Sequence, residues 1–364
     1  MQIGKVPPSL PLLRADLHVG LIASAWILSM FSALGAMFGC LAGIFADRFG
    51  AHRVTVASLL VMALASTAGS SAHGAALLLV SRALEGSGFV MTVVAIPSLL
   101  TAAADQRASR FVPSLWGTYM PLGIAIALAA GPLILASLGW RPLWQLNAAL
   151  LAGLALAVAW SNSRARMPAA RRSSPFAGLL RAALRGPATL LLAAIFACYT
   201  FQFLSILGFL PTILQEHGVS PKAAGAFTAL AVLANAFGNL AAGWLFARGA
   251  TPRRLISSAL VGMVAAEFLL FSPHCSSALQ YLAAVAFSLI AGLIPASIFT
   301  AIPKIAPTQA RSSTMGIAVQ ASHIGQLIGP PTVAAVAAAL GGWQATPWVL
   351  MPAAAAGLAA ALFL

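Results

Sequence analysis

Two ionisable side chains, Arg82 and Glu85, stand inside one long apolar stretch of the chain. They are three residues apart, so on a helix they share one face and can pair. Glu85 could take up and release a proton, and Arg82 could bind an anionic group or set the proton affinity of Glu85. An ion pair that only fixes the helix in place is an equal alternative.

Three further ionisable residues, Lys5, Glu267 and His323, also lie in apolar stretches. Lys5 has no acid near it in sequence, and we expect it either to bind an anionic or strongly polar solute or to extend to the membrane surface. Extension to the membrane interface is the favoured expectation for Glu267. His323 could relay protons near neutral pH, but a hydrogen-bonded packing role is favoured over a relay.

Four aromatic and amide side chains are further candidates for a solute pathway. Trp116 and Tyr119 are one helical turn apart, as are Tyr199 and Gln202. Aromatic residues at this spacing are more often packing residues than a substrate cage. A buried Tyr or Gln needs a hydrogen-bond partner, so we expect some of these side chains to face a cavity.

The sequence offers no metal site and no catalytic motif. The three cysteines, Cys40, Cys198 and Cys275, are far apart and have no metal-ligand spacing. No motif of a serine hydrolase, a zinc protease or an ATP-binding site occurs. We therefore expect no metal, no cofactor and no enzymatic activity.

The elements that must position these residues are membrane-spanning helices. Of the 364 residues, 60% are hydrophobic and 7% are charged, and the mean hydropathy is +0.94. Apolar runs of about 18 or more residues predict helices that cross a membrane. The sequence predicts an all-α polytopic membrane protein with eleven complete spans, at 20–46, 54–74, 76–103, 111–137, 143–161, 187–213, 223–246, 255–272, 277–303, 313–340 and 346–364.

Basic residues are concentrated in alternate loops between these spans. One set of loops holds fifteen of them, namely Arg48, Arg53, Arg107, Arg110, Arg164, Arg166, Arg171, Arg172, Arg181, Arg185, Arg248, Arg253, Arg254, Lys304 and Arg311. The opposite set holds three, Arg14, Arg141 and Lys222. The positive-inside rule places the first set in the cytoplasm, which predicts a multi-pass protein of the inner (plasma) membrane. This pattern explains the net charge of +14, and we expect no nucleic-acid binding.

The chain contains an internal repeat with an offset close to 200 residues. The matching pairs are Gln2 with Gln202, Leu10-Pro11 with Leu210-Pro211, Gly43 with Gly243, Gly131-Pro132 with Gly329-Pro330, and Gly139-Trp140 with Gly342-Trp343. The repeat predicts two six-helix halves, 1–161 and 187–364, joined by a basic cytoplasmic linker at 162–186. By the same offset the first span should begin before Met1. We therefore expect an incomplete first helix, whose missing part could also hold a partner for Lys5.

Two motifs resemble those of a known family. The loop after the predicted second span resembles the signature of the major facilitator superfamily, with Gly43, Asp47, Arg48, Gly50 and Arg53 at its positions. The predicted fourth span is similar to the second motif of that superfamily, with Arg82, Gly86 and Gly88. An ordinary solvated loop is the alternative interpretation of the first motif.

The resemblance implies two six-helix bundles with pseudo-twofold symmetry that move about a central solute site by alternating access. In that fold spans 1, 4, 7 and 10 line the central cavity, which implies that Lys5 and the Arg82–Glu85 pair lie there. The resemblance also implies that Asp47 bridges the cytoplasmic ends of the two halves. Its partner would be the positive N-terminal end of the span that begins near Ser312.

The sequence therefore predicts a secondary transporter of a small solute. Two cavity cations and few buried acids favour a small organic or inorganic anion, with protons as the coupling ion. The stretch 116–121 is similar to members near the cyanate and nitroimidazole transporter group. A multidrug or metabolite exporter of the same fold is the alternative in this class, and a non-transporting membrane sensor or inactive truncation is the alternative of another class. We expect a monomer in the lipid bilayer.

Overall fold

The computed structural model describes residues 1–42, 45, 49–103, 119–161, 186–305 and 311–364. Regular structure in these residues is entirely helical, without a β-strand. The α-helices of the first half are α1 Val6–Asp16, α2 Leu21–Ser29, α3 Ala33–Phe38, α4 Ala51–Ser70, α5 Ala75–Ala103, α6 Tyr119–Leu138 and α7 Trp140–Ser161. Those of the second half are α8 Pro187–Glu216, α9 Pro221–Ala247, α10 Pro252–Leu270, α11 Ser277–Ala291, α12 Leu293–Ile305, α13 Arg311–Leu340 and α14 Thr346–Leu362.

Ten helical stretches in the described residues are long and apolar enough to cross a membrane. Each coincides with one of the eleven predicted spans. The predicted span at 255–272 corresponds to α10, a helix of 19 residues that is not among the ten. Its sequence includes Arg253, Arg254 and Glu267, which is more charge than the other stretches contain. The polytopic helical class is thus confirmed, whereas eleven spans plus a fragment, and the symmetry of the halves, stay predictions.

The predicted span at 20–46, which is the second span when the incomplete first helix is counted, is interrupted twice. It consists of α2 and α3, with 3-10 segments at Met30–Ser32 and Gly39–Leu41. A 3-10 turn inside a longer helix changes which backbone groups are paired, and it often marks a hinge. Both interruptions lie where this span meets α13 of the second half.

The two halves contact each other through several pairs of helices. Helix α1 packs on α8, α6 packs on α9, and α2 and α3 pack on α13. Gly325 of α13 lies against Ala197 of α8 and Gly329 lies against Phe201, so α13 and α8 run in the same direction. Ser32 meets Gln326 and Ala36 meets Gln320, so α2 and α3 run opposite to α13. Because the chain reverses between α1 and α2, α1 and α8 run in the same direction. We refer to the end where α1 and α8 finish as the Asp16 end and to the opposite end as the Arg53 end.

Candidate functional site

Lys5, Arg82 and Glu85 form one buried cluster in the first half. The Lys5 Nζ donates a hydrogen bond to Glu85 Oε1 at 2.6 Å, and Arg82 Nη1 donates to Glu85 Oε2. Each of the three residues is 0% exposed. The expectation that Lys5 is a lone cation or extends to the membrane surface is therefore wrong, because the start of the chain brings it against α5.

Residues from other helices complete this cluster. Lys5 Nζ also donates to Ser66 Oγ of α4 at 2.8 Å and lies 4.5 Å from the ring centre of Trp144 in α7. The Arg82 guanidinium carbon lies 4.6 Å from the ring centre of Phe31. Aromatic faces favour nearby cations, so both rings offset part of the cost of burial. Sequence reasoning missed Ser66, Trp144 and Phe31 because no spacing along the chain signals a contact between separate helices.

The charges in the cluster do not balance. Two cations share one carboxylate, which leaves a net charge of +1 if all three groups are ionised. Two buried donors, Arg82 Nη2 and Trp144 Nε1, have no acceptor among the described residues. A buried donor without an acceptor is costly. The cluster therefore has unused capacity to interact with an anion or an acceptor atom.

A cavity of about 40 Å³ lies one helical turn from Glu85 along α5, beside the turn that precedes α1. Its walls are Met1, Gln2, Ile3, Phe89, Tyr119, Met120 and Ile124. The volume is well below the roughly 150 Å³ of a cavity that holds benzene. A second cavity of about 10 Å³ lies between the halves. Neither is lined by the three charged side chains, which face the interior of the first half in this conformation.

Tyr199 and Gln202 lie in the interior of the second half. The Tyr199 hydroxyl accepts a hydrogen bond from Asn235 Nδ2 at 3.5 Å. The Gln202 amide nitrogen donates to the Cys198 carbonyl of its own helix at 2.8 Å, and its Oε1 has no partner in the described part of the chain. The structure therefore places these two residues in a different cluster from Lys5, Arg82 and Glu85.

The Gln320 side chain joins the two halves at a point where the helical hydrogen bonding of the second span is interrupted. In a regular α-helix the Cys40 N–H would donate to the Ala36 carbonyl. Helix α3 instead ends at Phe38, and the Gln320 amide takes both partners. Its Nε2 donates to Ala36 O at 2.8 Å and to Met37 O at 3.2 Å, while its Oε1 accepts from Cys40 N at 3.3 Å.

A second bridge and a histidine lie beside this contact. Ser32 Oγ donates to Gln326 Oε1 at 3.0 Å. Between the two glutamines, His323 packs so closely on Gly35 that a Cβ there would lie 2.7 Å from the imidazole. His323 is 4% exposed, and its Nδ1 has no partner among the residues described. The geometry fits the packing role favoured from sequence, but without the expected hydrogen bond at Nδ1.

The two glycines of the second motif allow helices to approach closely. A Cβ at Gly86 would overlap the Phe31 carbonyl oxygen, and one at Gly88 would lie 2.6 Å from the Ser58 carbonyl oxygen. Gly86 therefore allows the backbone before α3 to reach α5, next to the Arg82 guanidinium. This signal was visible in the sequence as the spacing of Arg82, Gly86 and Gly88.

The first motif is described only in part. Gly43, Asp47, Arg48 and Trp116 lie outside the described residues, so the Asp47 bridge stays a prediction. Gly50 has a φ of +87° and immediately precedes α4, a conformation that favours glycine. The Arg53 side chain is exposed in the first turn of α4.

Glu267 is fully buried in α10, so the expectation that it extends to the membrane interface is wrong. Its exposure is 0%, and neither carboxylate oxygen has a hydrogen-bond partner in the described residues. Helix α10 packs against α11, α12 and α14. The position of Glu267 near a helix end could not predict its burial, because the direction of the side chain relative to the core depends on how neighbouring helices pack.

Comparison with known proteins gives a consistent family assignment. The family model described as Major Facilitator Superfamily matches residues 1–330. The chain is 30% identical to the 3-(3-hydroxy-phenyl)propionate transporter of Escherichia coli (strain K12) over 321 residues, which cover 86% of this chain and 76% of that protein.

Two further relatives come from the same organism. The 2-nitroimidazole transporter is 29% identical over 317 residues, covering 85% of this chain and 77% of the relative. The inner membrane transport protein YajR is 26% identical over 324 residues, covering 87% and 68% respectively. Each of these three relatives is named as a transport protein, and none is named as an enzyme.

Proposed function

Because this chain belongs to the Major Facilitator Superfamily, we propose that it is a secondary active transporter that carries a small organic or inorganic anion, coupled to protons, across the inner membrane by alternating access. The observation that carries the proposal is the buried cluster of Lys5, Arg82 and Glu85, with two cations on one carboxylate. Charged groups inside a membrane protein are costly and usually serve transport.

The proposed coupling follows from the two states of Glu85. When Glu85 is ionised, it accepts from both Lys5 and Arg82, and an anion would compete with it for the same donors. Protonation removes that charge, so the two cations are left to attract an anion. Binding of a proton at Glu85 and of an anion at Lys5 and Arg82 would therefore favour each other, which is the requirement for coupled transport.

Two further observations support an anion as the transported solute. The Arg82 Nη2 and Trp144 Nε1 donors have no acceptor among the described residues, and they lie at the same cluster. The name of one relative specifies a propionate, which is a carboxylate anion at neutral pH. Phe89 and Tyr119, one helical turn from the cluster, are suited to pack on the ring of an aromatic carboxylate when the halves separate.

We propose that the Arg53 end faces the cytoplasm. Arg53, Arg248 and Arg254 lie at loops of that end, whereas the Asp16 end has Arg14, Arg141 and Lys222. In this orientation the linker 162–186 is cytoplasmic, the halves 1–161 and 187–364 are the moving units, and one chain suffices for transport.

Uptake by proteoliposomes tests the proposal. The probe is radiolabelled 3-(3-hydroxyphenyl)propionate, with and without an inward proton gradient, and with a neutral analogue that has an amide in place of the carboxylate. We expect the gradient to stimulate uptake of the acid alone, and Glu85→Gln to abolish the stimulation. Equal uptake of acid and amide, or gradient stimulation that survives Glu85→Gln, would contradict the proposed mechanism.

Export of uncharged compounds is the second candidate, and a specific observation favours it. The cavity walls are mostly apolar and aromatic, and one relative is named a 2-nitroimidazole transporter. For this function we expect 2-nitroimidazole to leave loaded vesicles faster with the protein than without it. Anion uptake in the same vesicles would then be absent.

A further inference from the structure

The first helix of each half ends at an acidic residue, and the two ends have similar structures. Asp16 is the last residue of α1 and Glu216 is the last residue of α8, 200 positions later. After Asp16, Val19 N donates to Arg14 O at 3.2 Å, and after Glu216, Val219 N donates to Leu214 O at 3.0 Å.

The residue before each valine has the positive φ that this type of helix end requires. His18 has a φ of 50° and Gly218 a φ of 82°. Histidine is among the non-glycine residues that adopt this conformation most readily, so both sequences permit the same turn. The two helix ends therefore share a geometry that the sequence repeat did not show.

Each acidic residue binds the indole of a tryptophan that begins the last helix of the same half. Trp140 Nε1 donates to Asp16 Oδ2 at 3.1 Å, and Trp343 Nε1 donates to Glu216 Oε2 at 2.8 Å. Trp140 is the first residue of α7, and Trp343 begins the short 3-10 turn that leads into α14. We call these two contacts the clasps.

The clasps differ in charge. In the first half Arg141 Nη1 also pairs with Asp16 Oδ2 at 2.8 Å, and Arg141 Nη2 donates to Ala72 O at 3.0 Å. The residue after Trp343 is Gln344, which carries no charge. The Asp16 and Arg141 side chains are 40% and 35% exposed, so solvent screens their attraction. The feature common to both clasps is the directional bond from indole to carboxylate.

A proline precedes each carboxylate by five residues. Pro11 lies within α1 and Pro211 within α8. A proline inside a helix removes one backbone hydrogen bond and allows the helix to bend there. The segment after each proline is packed through buried side chains such as Leu13 and Leu214, and the clasp adds a directional attachment at its end.

We propose that Asp16, Trp140, Glu216 and Trp343 are positioning residues for transport. Each clasp binds the helix segment beyond a proline to the last helix of its own half, so that the Asp16 end opens and closes by movement of whole halves. The α1 and α8 helices pack on each other between the halves, so a bend in either would alter this contact directly. The role in transport rests on the proposed function, whereas the mechanical role does not.

Spin-label distances in the second half test the mechanical role. Labels are placed at His217→Cys and His274→Cys, both exposed at the Asp16 end, in a chain with serine at positions 40, 198 and 275. We expect a narrow distance distribution in the unaltered clasp. Trp343→Phe keeps an aromatic ring but removes the indole N–H, so the population with a displaced α8 end should rise about tenfold.

Two variants of the acidic partner and one control sharpen this test. Glu216→Leu should broaden the distribution as Trp343→Phe does, and Glu216→Gln should not, because its amide oxygen still accepts. Trp348→Phe is the matched control, since that tryptophan lies in the first turn of α14, close to Trp343 in sequence, and makes an edge-to-face contact with Phe268 instead. An unchanged distribution in Trp343→Phe and Glu216→Leu, or equal broadening in Trp348→Phe, would overturn the proposal.

Uptake measured in the same variants separates the two proposals. We expect Trp343→Phe to slow proton-driven uptake severalfold and Glu216→Gln to leave it near the unaltered rate. If the unaltered protein transports none of the probes, the proposed function is wrong. The distance measurement then still tests the mechanical role of the clasp. If the distances broaden but uptake is unchanged, the clasp is structural only and its role in transport is refuted.

Discussion

Replacing Gln320 with leucine should open the contact between the halves at the Arg53 end. The Gln320 amide makes three hydrogen bonds to the backbone of the second span, at 2.8, 3.2 and 3.3 Å. Leucine has a similar size but can make none of them. When the halves separate, the same backbone groups bind water, so the net value of about 1 kcal/mol for each bond applies.

Three bonds give about 3 kcal/mol in favour of the closed contact, which corresponds to a shift of about 100-fold in its equilibrium. Native Cys40 is the reporter for this shift, because it lies next to Gly316 of α13 and is only partly exposed. Its rate of reaction with a membrane-impermeant maleimide is measured from the Arg53 side, with Cys198 and Cys275 replaced by serine. We expect Gln320→Leu to raise that rate by one to two orders of magnitude.

Gln215→Leu is the matched control for Gln320→Leu. The Gln215 amide donates to Pro211 O of its own helix at 3.1 Å, and among the described residues it makes no hydrogen bond to the other half. We expect Gln215→Leu to leave the labelling rate of Cys40 unchanged. The reasoning is refuted if Gln320→Leu labels at the unaltered rate, or if both variants accelerate labelling to the same degree.

Three further predictions concern buried residues, and thermal unfolding in detergent measures each of them. Glu85→Gln should destabilise the protein by about 3–5 kcal/mol because it leaves two buried cations without a carboxylate. Lys5→Met should destabilise it less, because the Arg82–Glu85 pair that remains is neutral overall. Equal destabilisation by the two variants would contradict this charge argument. Gly86→Ala should lower the melting temperature strongly through overlap with a backbone carbonyl, and Gly153→Ala, where nothing lies within 4 Å of the added Cβ, should not. Glu267→Leu should raise the melting temperature, since it replaces an acid with no hydrogen-bond partner among the described residues; a lower melting temperature would imply a partner for that carboxylate.

The helical class and most spans could be predicted because long apolar runs are a direct physical signal. The spacing of Arg82 and Glu85 likewise predicts their pairing, since three residues on a helix bring side chains onto one face. These are properties of a single helix. They do not depend on how helices pack.

The contacts between helices could not be predicted in the same way. Lys5 was expected to lack an acid because Glu85 is 80 positions away, and only packing brings them together. Glu267 was expected at the membrane interface because the sequence gives its position along α10. The sequence does not give the direction in which its side chain points. The Gln320 contact depends on a break in α3 that no proline causes, so the sequence contains no local sign of it.

The small size of the two cavities has a consequence for how this protein would bind a solute. The two cavities, of about 40 and 10 Å³, are each too small for an organic molecule, so we expect a solute to bind at either of them only after the halves separate. The measured affinity would then be the affinity of the open form multiplied by the fraction of molecules that are open. A variant that loosens the Gln320 contact should therefore bind its solute more tightly while turning over more slowly, so affinity alone would be a misleading measure of transport activity.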